Sequence, residues 1–185
     1  FKIMSDVQIT ENSLRTIVCV GDSTTSMEWC HPNWFDWIDF SLRQGDEVNG
    51  WKTRMINSGK DGGTIPFFLE NFDFLIGRFK PEIVILSLGF NHLETADDAE
   101  EKLKELVLRI KELGSNVVMW STYKTIREDL NPKLSTVRDI YKKVASDLGA
   151  QFVDIYEEFS RYDLSKVFDY KYLWENAEWQ MKPGD

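Results

Sequence analysis

Three short stretches of this chain hold residue types that can do chemistry. Gly21-Asp22-Ser23 sets a small hydroxyl nucleophile just after an apolar run. Asn57-Ser58-Gly59-Lys60-Asp61-Gly62-Gly63-Thr64 offers backbone N–H groups on a glycine-rich loop, and Gly89-Phe90-Asn91-His92 adds a side-chain amide. A fourth stretch, Lys182-Pro183-Gly184-Asp185, supplies a carboxylate. Each has an ordinary explanation taken alone: Gly-Asp-Ser is a common turn with a helix cap, the glycine cluster is a loop, and Asn91 is a cap. Together they carry more, provided the apolar runs before them are strands of one parallel sheet. Ligands of such sheets bind outside the carboxyl ends of the strands, so nucleophile, backbone donors and amide donor all fall on one edge. Phosphate-cradling chemistry is excluded, because neither G-x-x-x-x-G-K-[ST] nor G-x-G-x-x-G occurs. Two histidines and two cysteines, with no C-x-x-C pair, are too few for most zinc sites. No metal and no cofactor is expected.

The elements that must position these residues can be read from periodicity. Ile17-Val18-Cys19-Val20, Ile83-Val84-Ile85-Leu86 and Val117-Val118-Met119-Trp120 are short, continuous and largely β-branched, as in strands buried on both faces. Thr53–Asn57 and Gln151–Ile155 are weaker strand candidates. Between them lie helical patterns with readable ends. Asn33 caps a helix with Trp34, Trp37, Ile38 and Leu42 as its core stripe, ended by Gly45. Thr64 opens a second, with Phe68, Leu69, Phe72, Ile76 and Phe79 on one face. Thr95 and Asp98 approximate a capping box for a third, carrying Leu103, Leu106, Val107, Ile110 and Leu113 up to Gly114. Asn131-Pro132 opens a fourth, with Val137, Ile140, Tyr141, Val144 and Leu148, stopped by Gly149. Alternating strand and helix of these lengths predicts an α/β fold with a parallel sheet between helix layers.

Composition narrows the function classes. With 22 Lys+Arg against 31 Asp+Glu in 185 residues, the formal charge of −9 disfavours a phosphate backbone as partner, so no nucleic acid is expected. Aromatic residues at 14% exclude a disordered chain. The longest apolar runs are four residues, far short of a membrane span. Cys19 lies in the first apolar run and reads as a buried thiol; Cys30 lies in a polar-aromatic loop. The sequence assigns neither an oligomeric state nor a compartment.

In their order and separations, Gly21-Asp22-Ser23, the Asn57…Gly62 block and Gly89-x-Asn91 resemble the SGNH (GDSL) hydrolases, over about Thr16 to Asp185. The resemblance implies a serine esterase or acylhydrolase on a three-layer α/β/α sandwich with a flavodoxin-like, mostly parallel five-stranded sheet. It implies Ser23 as nucleophile, with the backbone N–H groups of Ser23 and Gly62 and the amide of Asn91 as the oxyanion hole. Preorganised donors of that kind stabilise the charge of a tetrahedral intermediate, and one of them is worth about 100–1000-fold in rate. Asp22 then organises the turn. The resemblance also implies Asp185 as the catalytic carboxylate, since the family closes its set with Asp-x-x-His.

The chain departs from that pattern in two places. His92 stands where the family often has Asp, and the histidine of Asp-x-x-His is not reached by Asp185. Residues 1–15 then read as a lead-in segment and 16–185 as the hydrolase-like domain, lacking its C-terminal end. His31 and His92 are the substitute bases available, but His92 diverges from Asn91 as its chain neighbour and His31 precedes Pro32 in a loop. The expected substrate is a small-molecule or glycan ester, with Trp29, Trp174 and Trp179 as lips of the site and the stretch Tyr123–Asn131 leaning over it. The alternative is a glycan-binding or structural module that keeps the fold without catalysis.

Overall fold

The computed structural model describes residues 15–28, 32–44, 53–89, 91 and 96–166. Five strands, β1 (Arg15–Gly21), β2 (Thr53–Asn57), β3 (Ile83–Ser87), β4 (Asn116–Trp120) and β5 (Gln151–Val153), form one sheet in the order β2-β1-β3-β4-β5. Every neighbouring pair is parallel, with Val18 opposite Ile56 on one side and Val84 on the other. The expected fold class is borne out.

The chain moves outward from β1 to β2, then crosses back to β3 and continues to β5. Right-handed crossovers therefore put the first helix on one face and the later ones on the other. The first is α1 (Trp34–Gln44); opposite it lie α2 (Ile65–Glu70), α3 (Phe72–Leu75), α4 (Ala96–Glu112) and α5 (Asn131–Leu148). Strand side chains alternate between the faces. Val18, Val20, Val84 and Leu86 enter a large core with Phe68, Leu103, Leu106, Ile110 and Tyr141, all fully buried or nearly so. Ile17, Cys19, Ile83 and Ile85 meet Phe35 of α1 in a smaller one.

Most helix ends follow the sequence signals. Asn33 Oδ1 accepts from Phe35 N at 2.9 Å, and Asp36 Oδ2 accepts from Asn33 N at 2.8 Å, a reciprocal cap. Thr64 caps α2, and Gly149 ends α5 with φ 61°. Gly114 follows α4 with φ 81°, whereas Thr95 and Gly45 lie outside the described residues.

Three expectations are corrected. The second helix is not continuous: Asn71 sends both its N–H (3.1 Å) and its side-chain amide (2.9 Å) to the Phe67 carbonyl. The chain turns there into α3 and a 3₁₀ turn at Gly77–Phe79, while Phe68, Phe72 and Ile76 still face the core. β5 ends at Val153 rather than Ile155, because Asp154 caps α6 (Ile155–Phe159) by accepting from Glu157 N at 3.1 Å. Trp37 is not a core residue but 59% exposed. The inward face of α1 is Phe35 with Trp34 and Leu42 packed beside it, and Trp37 lies about 200° around the helix from Phe35 at ~100° per residue.

Candidate active site

The reversal of winding between β1 and β3 opens a crevice at the carboxyl ends of these strands. The loops after β1, β2 and β3 meet there. Beyond Gly21 the chain makes a tight turn in which Asp22 O accepts from Thr25 N (3.0 Å) and Ser26 N (2.9 Å). The buried Asp22 side chain tightens the turn further, its Oδ1 accepting from Thr24 N at 3.0 Å and Thr24 Oγ1 at 2.8 Å. Asp22 thus serves as the turn's organiser. Ser23 sits at the head of this turn, half-buried.

The glycine-rich loop is hung on the first turn. Ser58 N donates to Cys19 O at 2.8 Å and Lys60 N to Gly21 O at 3.0 Å, which prolongs the β1–β2 pairing past the strand ends. At its tip Gly62 has φ 65°, and a Cβ there would meet nothing within 4 Å. Backbone conformation, not crowding, asks for glycine at this position. Glu28 braces the rim by accepting from Lys60 Nζ at 2.7 Å and Asp61 N at 2.8 Å. The Lys60 contact holds the Glu28 carboxyl below its ordinary value.

Asn91, beyond β3, donates through Nδ2 to Gly63 O at 3.2 Å. This bond joins the third loop to the second. An amide carries two N–H groups, so one remains for another acceptor. Two residues earlier Gly89 has φ 142°, and a Cβ there would lie 2.6 Å from Val137 Cγ1. Just beneath, the Tyr141 phenol is raised by burial first and by the Asp22 charge second, and stays protonated.

On the α1 side of Asp22 and Thr24 lies a cavity of about 480 Å³, walled by Trp34, Trp120, Tyr123 and Phe159. Trp34 meets Trp120 edge-on at 4.2 Å between centroids, and Tyr123 packs on Phe159 at 5.6 Å. The Tyr123–Asn131 stretch closes on itself through Asn131, which accepts from Thr125 N at 3.0 Å and donates to Thr125 O at 2.9 Å. Tyr123 reaches the cavity at the stretch's first residue.

The turn of Ser23, the loop of Gly62 and Asn91 are therefore brought to one edge. Asp185, Trp29, Trp174, Trp179, His31, His92 and Cys30 lie outside the described residues. Sequence reasoning anticipated Tyr123 but overlooked Thr25, read the cavity wall Trp120 as a strand residue only, and took Asn33 for a cap alone. Neither Thr25 nor Trp120 belongs to a motif; only their neighbours in space mark them.

The GDSL-like Lipase/Acylhydrolase family matches residues 19–172. The chain belongs to this family. Among solved structures, this GDSL-like chain is similar to a catalytic mutant (a histidine replaced by alanine) of an acetylxylan esterase from Geobacillus stearothermophilus. The two share 18% identity over 88% of this chain and 85% of that one, with a TM-score of 0.71. An acetyl xylan esterase named AlAXEase matches with 17% identity over 82% and 83%, TM-score 0.72. A tryptophan mutant of the Geobacillus enzyme, described as an acetyl-xylooligosaccharide esterase, matches with 17% identity over 92% and 98%, TM-score 0.70. No curated protein sequence matches the chain. These likenesses bear out the family and the fold read from Gly21-Asp22-Ser23 and its companion blocks.

Proposed function

We propose that this GDSL-like hydrolase is a serine esterase that removes small acyl groups, acetyl foremost, from a carbohydrate ester. What carries the reading is the junction of three loops at the sheet's carboxyl edge. A half-buried serine stands just past the end of β1, an inner strand; a positive-φ glycine faces open space, and the Asn91 amide is tied to Gly63 with one N–H to spare. The acetylxylan esterases among its structural neighbours support the substrate class.

In this reading Ser23 Oγ attacks the ester carbonyl carbon while a base takes its proton. The carbonyl oxygen becomes an oxyanion that accepts from the N–H groups of Ser23 and Gly62 and from the second N–H of Asn91. Collapse breaks the bond to the alcohol oxygen, which takes the proton from the base, and water then repeats the sequence on the acyl-serine. Asp185 is read as the carboxylate that orients a histidine base. Catalytic mutants of the Geobacillus esterase include one of an aspartate and one of a histidine.

A fluorophosphonate probe on the full natural chain is expected to label Ser23 alone. Ser23→Ala is expected to abolish both labelling and hydrolysis of p-nitrophenyl acetate and acetylated xylooligosaccharide. Hydrolysis surviving that substitution overturns the assignment, and a well-folded chain without either activity returns the glycan-binding alternative.

A further inference from the structure

Thr25, two residues after Ser23, is fully buried, and nearly every polar group it has is spoken for from a different direction. Its carbonyl oxygen accepts from Asn57 Nδ2 at 2.7 Å, at the end of β2, and from Asn33 Nδ2 at 3.1 Å, at the start of α1. A carbonyl has two lone pairs, and both are used. Its hydroxyl accepts from Trp34 Nε1 at 3.1 Å, and its N–H donates to Asp22 O at 3.0 Å. Asn33 Nδ2 also reaches Ser26 O at 3.1 Å.

Two glycines make room for this arrangement. A Cβ on Gly21 would fall 1.9 Å from Thr25 Oγ1, and one on Gly59 would fall 2.6 Å from Ser26 N and 2.8 Å from Thr25 C. The turn is thus gripped from the end of β2 and from the start of α1, with Gly21 and Gly59 packed close against it. The two grips share no element, so together they fix where the turn stands and how it is rotated. A turn carrying only a helix start needs no such set; Asn33 alone would cap α1.

We propose that Asn33, Trp34 and Asn57 are positioning residues for Ser23, acting through Thr25. The proposal rests on the reading of Ser23 as nucleophile. The physical reason is that acyl transfer tolerates little displacement of the attacking oxygen; a misplacement of about 1 Å costs on the order of 100-fold in rate. Ser23 Oγ must face the substrate carbonyl while Ser23 N–H faces its oxygen, so a turn free to rock loses both alignments at once.

The experiment is kinetics on the full natural chain, with kcat expressed per site titrated by the fluorophosphonate probe. Asn57→Asp and Asn33→Asp keep the acceptors that serve Gly59 N and Phe35 N, but remove the amide donors to Thr25 O. Each is expected to lower kcat per titrated site by about 10–100-fold with KM within about twofold. Thr25→Val removes the hydroxyl that receives Trp34 and is expected to fall similarly, and Thr25→Ser is expected to recover about tenfold of that loss. A merely structural role predicts a lower unfolding midpoint and fewer titratable sites, with kcat per site at the wild-type level. That result overturns the proposal, and it leaves the Ser23 reading standing wherever Ser23→Ala is inactive. Hydrolysis by Ser23→Ala instead removes the reading and the proposal together.

Discussion

Gly89→Ala tests how tightly the site's third loop is pinned to the core. At φ 142° glycine is at ease, whereas an alanine is strained by about 1–3 kcal/mol. The new methyl would also lie 2.6 Å from Val137 Cγ1 and 3.2 Å from Thr122 Cγ2. Both neighbours are buried, and Val137 belongs to the core face of α5, so overpacking adds about 1–3 kcal/mol. The expected loss is about 2–6 kcal/mol, against a total domain stability of about 5–15 kcal/mol. Gly114→Ala is the control for conformation alone. Its φ is 81° but its Cβ would meet nothing within 4 Å, which predicts a loss of only about 1–2 kcal/mol. Urea unfolding followed by tryptophan fluorescence measures both. The clash is isolated by a double-mutant cycle with Val137→Ala, in which the two losses should fall short of additive by about 1–3 kcal/mol. If Gly89→Ala costs no more than Gly114→Ala, or if the cycle is additive, the steric argument is wrong and loop three is looser than described.

Asn91→Ala in the full natural chain is expected to lower kcat by about 100-fold with little change in KM, since the amide bonds the oxyanion more strongly than the ester; an effect confined to KM would make Asn91 a substrate-binding residue. Arg138 grips Asp154 through Nε at 2.9 Å and holds its carboxyl below the ordinary value. The stability this adds is present above the unfolded carboxylate range near ~4 and is lost as pH falls through the folded value. Asp154→Asn should therefore lower the urea midpoint at neutral pH and flatten its fall in acid, and parallel pH profiles for the two chains would refute the linkage. Burial, with the Asp39 charge second, pushes the Cys19 thiol up; in a Cys30→Ser background it should react with a disulfide reagent only as fast as the chain unfolds, and prompt reaction in the native state would contradict its burial.

The inner strands of the sheet were legible because they are written as unbroken apolar tetrads, β1 and β3 being buried on both faces. Ile17–Val20, Ile83–Leu86 and Val117–Trp120 all fell inside observed strands. Helix caps were legible because they are local: Asn33, Thr64 and Gly149 each bond within a few residues. What escaped was decided at long range. The break at Asn71 depends on a side chain choosing its own helix's carbonyl, which propensity does not foretell. Trp37 kept a helical spacing with Trp34 and Ile38, yet the face that turns inward was chosen by Phe35 against Ile17 and Cys19. Thr25 meets Asn57 across 32 residues of chain, and no spacing rule connects them. The candidate site was legible only as far as its loops follow strands; which groups hold those loops in place was not.

The strand that leads into Ser23 lies inside the sheet, between β2 and β3, although it comes first among the described elements. During synthesis it leaves the ribosome well before β3, its partner on the inner side, whose first residue lies 68 positions after Arg15. At about 5–20 residues per second, that is roughly 3–14 s in which β1 has one edge unpaired. The interval is long beside hairpin or helix formation, which take microseconds. A fully apolar run with free N–H and C=O groups is a template for pairing with other chains. The architecture that puts the nucleophile's strand inside the sheet thus lengthens its exposure to misassembly, and the yield of folded protein should respond to translation speed and holdase supply.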